Sequence, residues 1–304
     1  MAKLVVTATY SNKAAPLKAH EQTVMVKVTA PVTAKKDTAP LDVVLVLDTS
    51  GSMAGDKISK MKAAMEKILE KLGRRDRLAI VPFSSEAVES KARPQYTSTQ
   101  VKADSNAFIH KLKAEGKTNI RAGLQVAVKV LLDRFTDKQG RTGVIFLMSD
   151  GKQNHGDAGK VDVSEVNVQT FGFGEKHDSK LPYALAHQSH GGVFHVVHDK
   201  EDANHLKEAF LMTLGLYRSI SVLNLRVTLK KQEPATAIDK VDPGSYPMEK
   251  HPAAGSVTVD FGDLARDERR RIILLLRLPA VLTVECSYRY IYESGFPAHS
   301  GDRT

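Results

Sequence analysis

Leu41-Asp42-Val43-Val44-Leu45-Val46-Leu47-Asp48-Thr49-Ser50-Gly51-Ser52-Met53 decides how this chain is read. Residues 43–47 are apolar without interruption, which suits a strand covered on both faces better than one half exposed to water. Similar runs recur at Leu78-Ala79-Ile80-Val81, at Val144-Ile145-Phe146-Leu147-Met148 and over 166–173. Between them the apolar spacing becomes helical: Ile58, Met61, Met65, Ile68, Leu69 and Leu72, with Gly73 as a stop, then Ile120, Leu124, Val128 and Leu131. A last amphipathic segment, 203–217, carries Leu206, Phe210, Leu211 and Leu214. Strand alternating with helix predicts right-handed crossovers and an α/β domain over 41–217, built on a doubly wound, mostly parallel sheet.

Outward from this block the texture is β. Residues 3–10 and 22–29 alternate apolar with polar positions, and Pro31 and Pro40 bracket a polar linker. Beyond Ser219, alternation returns at 222–229, 256–261, 271–278 and 282–290. The N-terminal segment (1–30) and the C-terminal segment (220–292) are therefore expected to pair as one small antiparallel β domain made from both chain ends. The stretch 230–252, rich in Pro and charge, reads as a surface loop, and 293–304 as a frayed tail.

Composition narrows the class. A 304-residue chain with 42% hydrophobic and 26% charged residues can bury a sizeable core and is not a disordered polymer. No apolar run approaches the roughly 18 residues of a spanning helix, so no membrane partner is expected. The first residues lack the apolar core of a secretory signal, and Ala2 stands where myristoylation needs glycine. A single cysteine, Cys286, permits no intrachain disulfide. These features predict a reducing compartment, the cytoplasm, with the nucleus as an alternative. The formal charge of +9 admits an anionic partner without choosing one.

In an open parallel sheet, ligands bind beyond the carboxyl ends of the strands. The first buried strand delivers Asp48, Ser50 and Ser52 to that edge, and the strand ending Met148-Ser149-Asp150-Gly151 delivers a second carboxylate. Thr118, in Gly116-Lys117-Thr118-Asn119-Ile120, precedes a helix and offers a third hydroxyl. A lone Asp at a strand end is as readily a helix cap. Five oxygen-bearing residues on three loops instead suit a hard divalent cation that keeps some of its waters, as Mg²⁺ (or Mn²⁺) does, and suit zinc poorly.

Asp48-Thr49-Ser50-Gly51-Ser52-Met53, Thr118 and Asp150-Gly151, in this order and spacing, resemble the metal-ion-dependent adhesion site of von Willebrand factor type A (VWA) domains. The resemblance covers 41 to about 217. It implies that Ser50, Ser52 and Thr118 ligate the cation directly, that Asp48 and Asp150 act mostly through water, and that a protein partner's Asp or Glu completes the shell. By their position in the loops beside Thr118 and Asp150, Lys117, Asn119 and His155 are expected to form a partner-binding rim. Lys117 departs from the glycine usual in relatives, leaving loop flexibility and partner preference open, and His155 also reads as a plain loop residue. The flanking β segments resemble those of intracellular plant and bacterial VWA proteins, including plant RING-type ubiquitin ligases. With one Cys the chain has no RING, so the ubiquitination machinery enters only through an adaptor or decoy role.

Other chemistries fit less well. A haloacid-dehalogenase-type phosphatase wants a second Asp where Ser50 stands, no Gly-rich lysine loop is present, and no Ser-His-acid spacing argues for a triad, so no enzyme is expected. His187-x-x-His190 falls at a helix end, and His195-x-x-His198 on a strand where i and i+3 face opposite ways, so zinc is not expected. The run Arg266, Asp267, Glu268, Arg269, Arg270, Arg271 reads as a turn between strands rather than a nucleic-acid surface. Lys111, Lys113 and Lys117 are placed to steer an acidic partner, or are simply an exposed helix end.

Overall fold

The computed structural model describes residues 3–11, 20–32, 38–88, 94–133, 141–173, 178–189, 191–197, 203–232, 237–278 and 282–290. In chain order the elements are β1 (Val5–Tyr10) and β2 (His20–Thr29), then β3 (Leu41–Asp48), α1 (Asp56–Lys71), β4 (Arg77–Phe83), β5 (Gln95–Tyr96), α2 (Thr99–Lys111) and α3 (Ile120–Asp133). They continue with β6 (Thr142–Ser149), β7 (Val168–Phe173), α4 (Lys180–Gln188), β8 (Phe194–Val197) and α5 (Ala203–Ser219). β9 (Ile220–Lys231), β10 (Ala237–Asp242), β11 (Met248–His251), β12 (Ser256–Ala265), β13 (Arg269–Leu278) and β14 (Leu282–Tyr290) complete the series. The chain divides into two units: Pro40–Arg218, and a second made of the residues before Pro40 together with those from Ser219 onward.

In the first unit the four continuous apolar runs become β3, β4, β6 and β7, buried at every position. They are the inner strands of a six-stranded sheet ordered β5-β4-β3-β6-β7-β8, parallel except where β5 runs against β4. One face packs Val44 and Val46 of β3 against Ile120, Leu124, Ala127 and Leu131 of α3. On α1, Ile58, Met61, Met65, Ile68 and Leu69 form one buried stripe, as their spacing requires. Phe210 of α5 stacks on Phe146 of β6 at 4.0 Å and on Phe171 of β7 at 5.2 Å. The helices thus cover the four inner strands on both faces, which is why those strands show no alternation of buried and exposed positions.

Close packing on the α3 side leaves no room at Gly123. A Cβ there would sit 2.6 Å from Cδ1 of Phe83 and 3.0 Å from Cγ1 of Val46. Gly123→Ala gains roughly 1 kcal/mol of helix propensity but forces apart an overfilled contact that costs about 1–3 kcal/mol. The expected net is a destabilisation of up to about 2 kcal/mol, read as a fall of a few degrees in Tm. A variant melting above wild type would show that α3 can slide away from β3.

The second unit holds two four-stranded antiparallel sheets, β1-β2-β13-β10 and β11-β12-β9-β14. β2 pairs with β13 over ten positions, from Thr29 opposite Arg269 to His20 opposite Leu278, so the two chain ends do meet in one sheet. Val24, Val26 and Val28 of β2 alternate into a core shared with Leu225, Val227, Leu229, Val259, Phe261, Ile272, Leu274 and Cys286. Burial pushes the Cys286 thiol up to about 11, which keeps it protonated and unreactive at neutral pH.

One expectation is corrected here. The stretch 230–252 is not a plain loop, because it contains β10, paired with β13, and β11, paired with β12. Both are edge strands, where exposed charge and interruptions are tolerated and even protective, so their composition imitates a loop. The arginine-rich run is the turn between β12 and β13. Asp267 takes a positive φ of 58° there, and Glu268 Oε2 accepts from the Ala265 N–H at 2.8 Å. The frayed tail proposed for 293–304 lies outside the described residues, as do His190 and His198. Among the described residues no helix is long and apolar enough to cross a membrane.

Candidate functional site

Three loops meet at the carboxyl edge of β3 and β6. The first begins where β3 ends: the Thr49 N–H donates to the Phe83 carbonyl at 2.7 Å and its hydroxyl to the same oxygen at 2.9 Å. The Ser50 N–H folds back onto Asp48 Oδ1 at 2.8 Å, and a short 3-10 turn over Gly51–Met53 is anchored by the fully buried Met53. The second loop leaves β6 through Asp150 and Gly151. Gly151 has φ +72°, and a Cβ there would lie 2.2 Å from the Asp178 carbonyl oxygen, so both backbone conformation and space demand glycine.

The third loop, 112–119, is stitched to the other two. Gly51 N–H donates to the Gly116 carbonyl at 3.1 Å and Glu115 N–H to the Thr49 carbonyl at 2.8 Å. Thr118 N–H donates to Asn154 Oδ1 at 3.0 Å, while the N–H groups of Asn154 and His155 both donate to the Thr118 carbonyl at 3.2 Å.

Within this frame the candidate side chains converge in part by direct contact. Ser50 Oγ and Ser52 Oγ lie 3.0 Å apart, and Ser52 Oγ donates to Asp150 Oδ1 at 3.1 Å. Asp48 sits behind them: its Oδ2 accepts from Ser149 Oγ at 2.5 Å, and that oxygen in turn accepts from the Gly151 N–H at 3.0 Å. Asp48, Ser50, Thr118 and Asp150 are all buried. Burial raises the Asp48 carboxyl above the usual carboxylate range, opposed by the hydrogen bonds from Ser149 and Ser50, with the charge of Asp150 adding a smaller push upward.

The rim residues divide. Lys117 and His155 are exposed, so their side chains are available to a partner. Asn119 is half-buried and already engaged: its Oδ1 accepts from Ala122 N–H at 3.2 Å, at the start of α3, and its Nδ2 donates to the Ser85 carbonyl at 3.0 Å. That is a helix-capping and loop-tying role, not a free contact surface. Elsewhere, His187 is exposed on α4 beside Tyr183, and His195 stacks on Phe171 at 4.7 Å, where burial lowers its pKa.

Three residues at this edge had no place in the sequence reading. Ser149 bridges Asp48 to the second loop, and Asn154 holds Thr118. Lys57, from the first turn of α1, brings its ammonium 2.7 Å from Asp150 Oδ2 and 3.2 Å from the Ser52 carbonyl. Ser149 adjoins Asp150 in sequence and was the one with a local signal.

The donor set can be tested against a cation. Octahedral Mg²⁺ with bonds of about 2.1 Å places neighbouring ligand oxygens about 3.0 Å apart, whereas the longer bonds of Ca²⁺ spread them to roughly 3.3 Å or more. The 3.0 and 3.1 Å separations along Ser50, Ser52 and Asp150 are hydrogen-bond distances that bring these oxygens close enough to face one hard cation, without choosing between the two. Among the described residues no cluster of three or more His, Cys, Asp or Glu side chains is placed to hold a metal.

A buried parallel sheet presenting an Asp-x-Ser-x-Ser loop at its carboxyl edge, with a second Asp just past the end of the neighbouring strand, defines an adhesion-type α/β domain. A family model for the von Willebrand factor type A domain matches residues 42–209, and the chain belongs to that family, one of protein-interaction and adhesion modules. It is 27% identical over 256 residues to an uncharacterized protein, sll0103, of Synechocystis sp., covering 80% of this chain and 58% of that one. It is 28% identical over 239 residues to inter-alpha-trypsin inhibitor heavy chain H3 of Mesocricetus auratus, covering 74% of this chain and 26% of the relative. The alignments thus span about a quarter to three-fifths of these relatives' lengths. Among solved structures, a von Willebrand factor type A protein from Catenulispora acidiphila superposes with a TM-score of 0.65 at 17% identity, covering 99% of this chain and 72% of that one.

Proposed function

We propose that this chain is a non-enzymatic protein-interaction module whose VWA site binds a partner carboxylate through Mg²⁺ or Mn²⁺. Ser50, Ser52 and Thr118 would hold the ion with their hydroxyls, and Asp48 and Asp150 would balance its charge, partly through water. The ion would supply a Lewis-acidic position for the partner's Asp or Glu. The observation that carries this reading is the convergence of the Ser50 and Ser52 hydroxyls, 3.0 Å apart, beside the buried carboxylate of Asp150, an all-oxygen set at the carboxyl edge of the sheet that suits a hard cation. A bare cation contact is weak in water, so burial of the surrounding rim would provide most of the specificity.

Catalysis is disfavoured by the company the serines keep. The hydroxyls of Ser50 and Ser52 engage each other and Asp150, not a histidine that would activate them. The location proposed is cytoplasmic, on the ground that a single cysteine permits no intrachain disulfide, where a secreted chain of this size more usually carries several. A role in ubiquitination would be that of an adaptor, because one cysteine builds no RING.

Capture of partners on the immobilised chain in Mg²⁺, followed by an EDTA wash, tests this reading. Partners are expected to elute with EDTA and to be missing from an Asp48→Ala bait. Partners held equally in EDTA would move the function to another surface.

A further inference from the structure

We propose that Lys57 sets the charge of this site, so that a divalent cation is held loosely on its own and firmly only together with an anionic group from the partner. The inference rests on the metal reading above and adds a residue which that reading does not use. Lys57 lies in the first turn of α1, yet only 24% of its side chain is exposed. Its ammonium is turned inward onto Asp150, whose own side chain is fully buried. The carboxylate is shared: Oδ1 accepts from Ser52 and Oδ2 from Lys57. The ammonium therefore meets the need of a buried carboxylate for a countercharge.

The charge count follows from these contacts. Asp48 and Asp150 with Lys57 leave the site at −1, a divalent cation turns it to +1, and a single carboxylate brings it to neutrality. With the ammonium removed, the same steps run from −2 through neutrality to −1. The lysine thus trades cation affinity for anion affinity. At about 3 Å and at the dielectric of bulk water, a unit charge is worth about tenfold in either equilibrium.

Lys57→Met keeps most of the aliphatic stem and removes the charge, and Lys57→Arg keeps the charge. Mn²⁺ is the metal probe, titrated by electron paramagnetic resonance. Acetate is the carboxylate probe, titrated into the Mn²⁺-loaded chain and read by loss of Mn²⁺-bound water in proton relaxation. Lys57→Met is expected to bind Mn²⁺ about tenfold more tightly and acetate about tenfold more weakly, with Lys57→Arg within about threefold of wild type in both. The opposite signs matter, since a misfolded or loosened site would lose both affinities together. Equal Mn²⁺ affinity with and without the ammonium, or a parallel loss of both affinities in Lys57→Met, overturns the role of Lys57 while leaving the metal site standing. A wild-type chain that takes up no Mn²⁺ overturns the metal reading itself, and this inference with it.

Discussion

Asp150→Ala is expected to weaken Mn²⁺ binding by about a hundredfold or more while moving the thermal midpoint by only a few degrees. The side chain contributes twice to the site: its Oδ1 is 3.1 Å from Ser52 Oγ, in the row of candidate ligands, and its Oδ2 holds Lys57. Truncation removes one of two carboxylates and leaves the ammonium of Lys57 uncompensated beside the incoming cation, so both changes act against binding. Loss of a single supporting group around a metal commonly costs 10- to 100-fold, and here a charge and its pairing go together. The fold has less at stake. Lys57 is partly exposed and can turn into solvent, and Asp150 lies in a loop beyond the end of β6. Titration by electron paramagnetic resonance alongside a circular-dichroism melt checks both halves. Asp150→Asn, which preserves shape but not charge, separates electrostatics from packing. If either variant binds Mn²⁺ as wild type does, the ion lies elsewhere.

The largest stability effect is expected at the other edge of the same sheet, from Asp76→Ala. Asp76 is 1% exposed and gathers three separate parts of the chain. Its Oδ1 accepts from the Leu41 N–H at 2.9 Å, where β3 begins, and its Oδ2 accepts from the Gly73 N–H at 2.5 Å, just past α1. Arg218, near the end of α5, donates to both oxygens, at 3.4 and 2.6 Å. Alanine leaves two backbone donors and one guanidinium without their acceptor. Each stranded donor costs about 1–3 kcal/mol when buried, although the partly exposed Arg218 recovers some solvation. A net loss of about 3 kcal/mol is expected, read as a fall of roughly 6–10 °C in the melting midpoint. Mn²⁺ affinity should be nearly unchanged at temperatures well below that midpoint, because the site lies beyond the opposite strand ends. A variant that melts with wild type would mean that other contacts already fix α5 and the start of β3.

The two predictions divide the molecule along a line that the primary structure already draws. The apolar stretches that form most of β3, β4 and β6 could be recognised because a strand covered on both faces has few polar positions to spare, whereas β7 buries Gln169 and Thr170 among its apolar residues. Helical spacing marked α1 and α3 for the same reason, and alternation at both chain ends pointed to a shared β domain, in which the structure pairs β2 with β13. Edge strands were another matter. β10 and β11 acquire their conformation by hydrogen-bonding to β13 and β12, and a segment with one polar face and one neighbour reads locally like a loop.

At the site, Asp48, Ser50 and Ser52 are close neighbours in the chain, and the Asp-x-Ser-x-Ser pattern placed them on one loop before any coordinates. Asp150 and Thr118 were assigned by their position after a strand and before a helix. The contacts that set the site's charge and shape were not legible in that way. Lys57 and Asp150 are 93 residues apart, and Ser149 and Asp48 are 101 apart. Asn119, placed on the partner-binding rim by its position in the loop, has both ends of its side chain engaged within the protein. The order and periodicity of residues determined which strands are buried and which loops reach the carboxyl edge, because burial is a property of local pattern. Only the tertiary structure decided which side chains meet there, because the length and direction of a side chain matter once distant loops are packed within hydrogen-bonding reach.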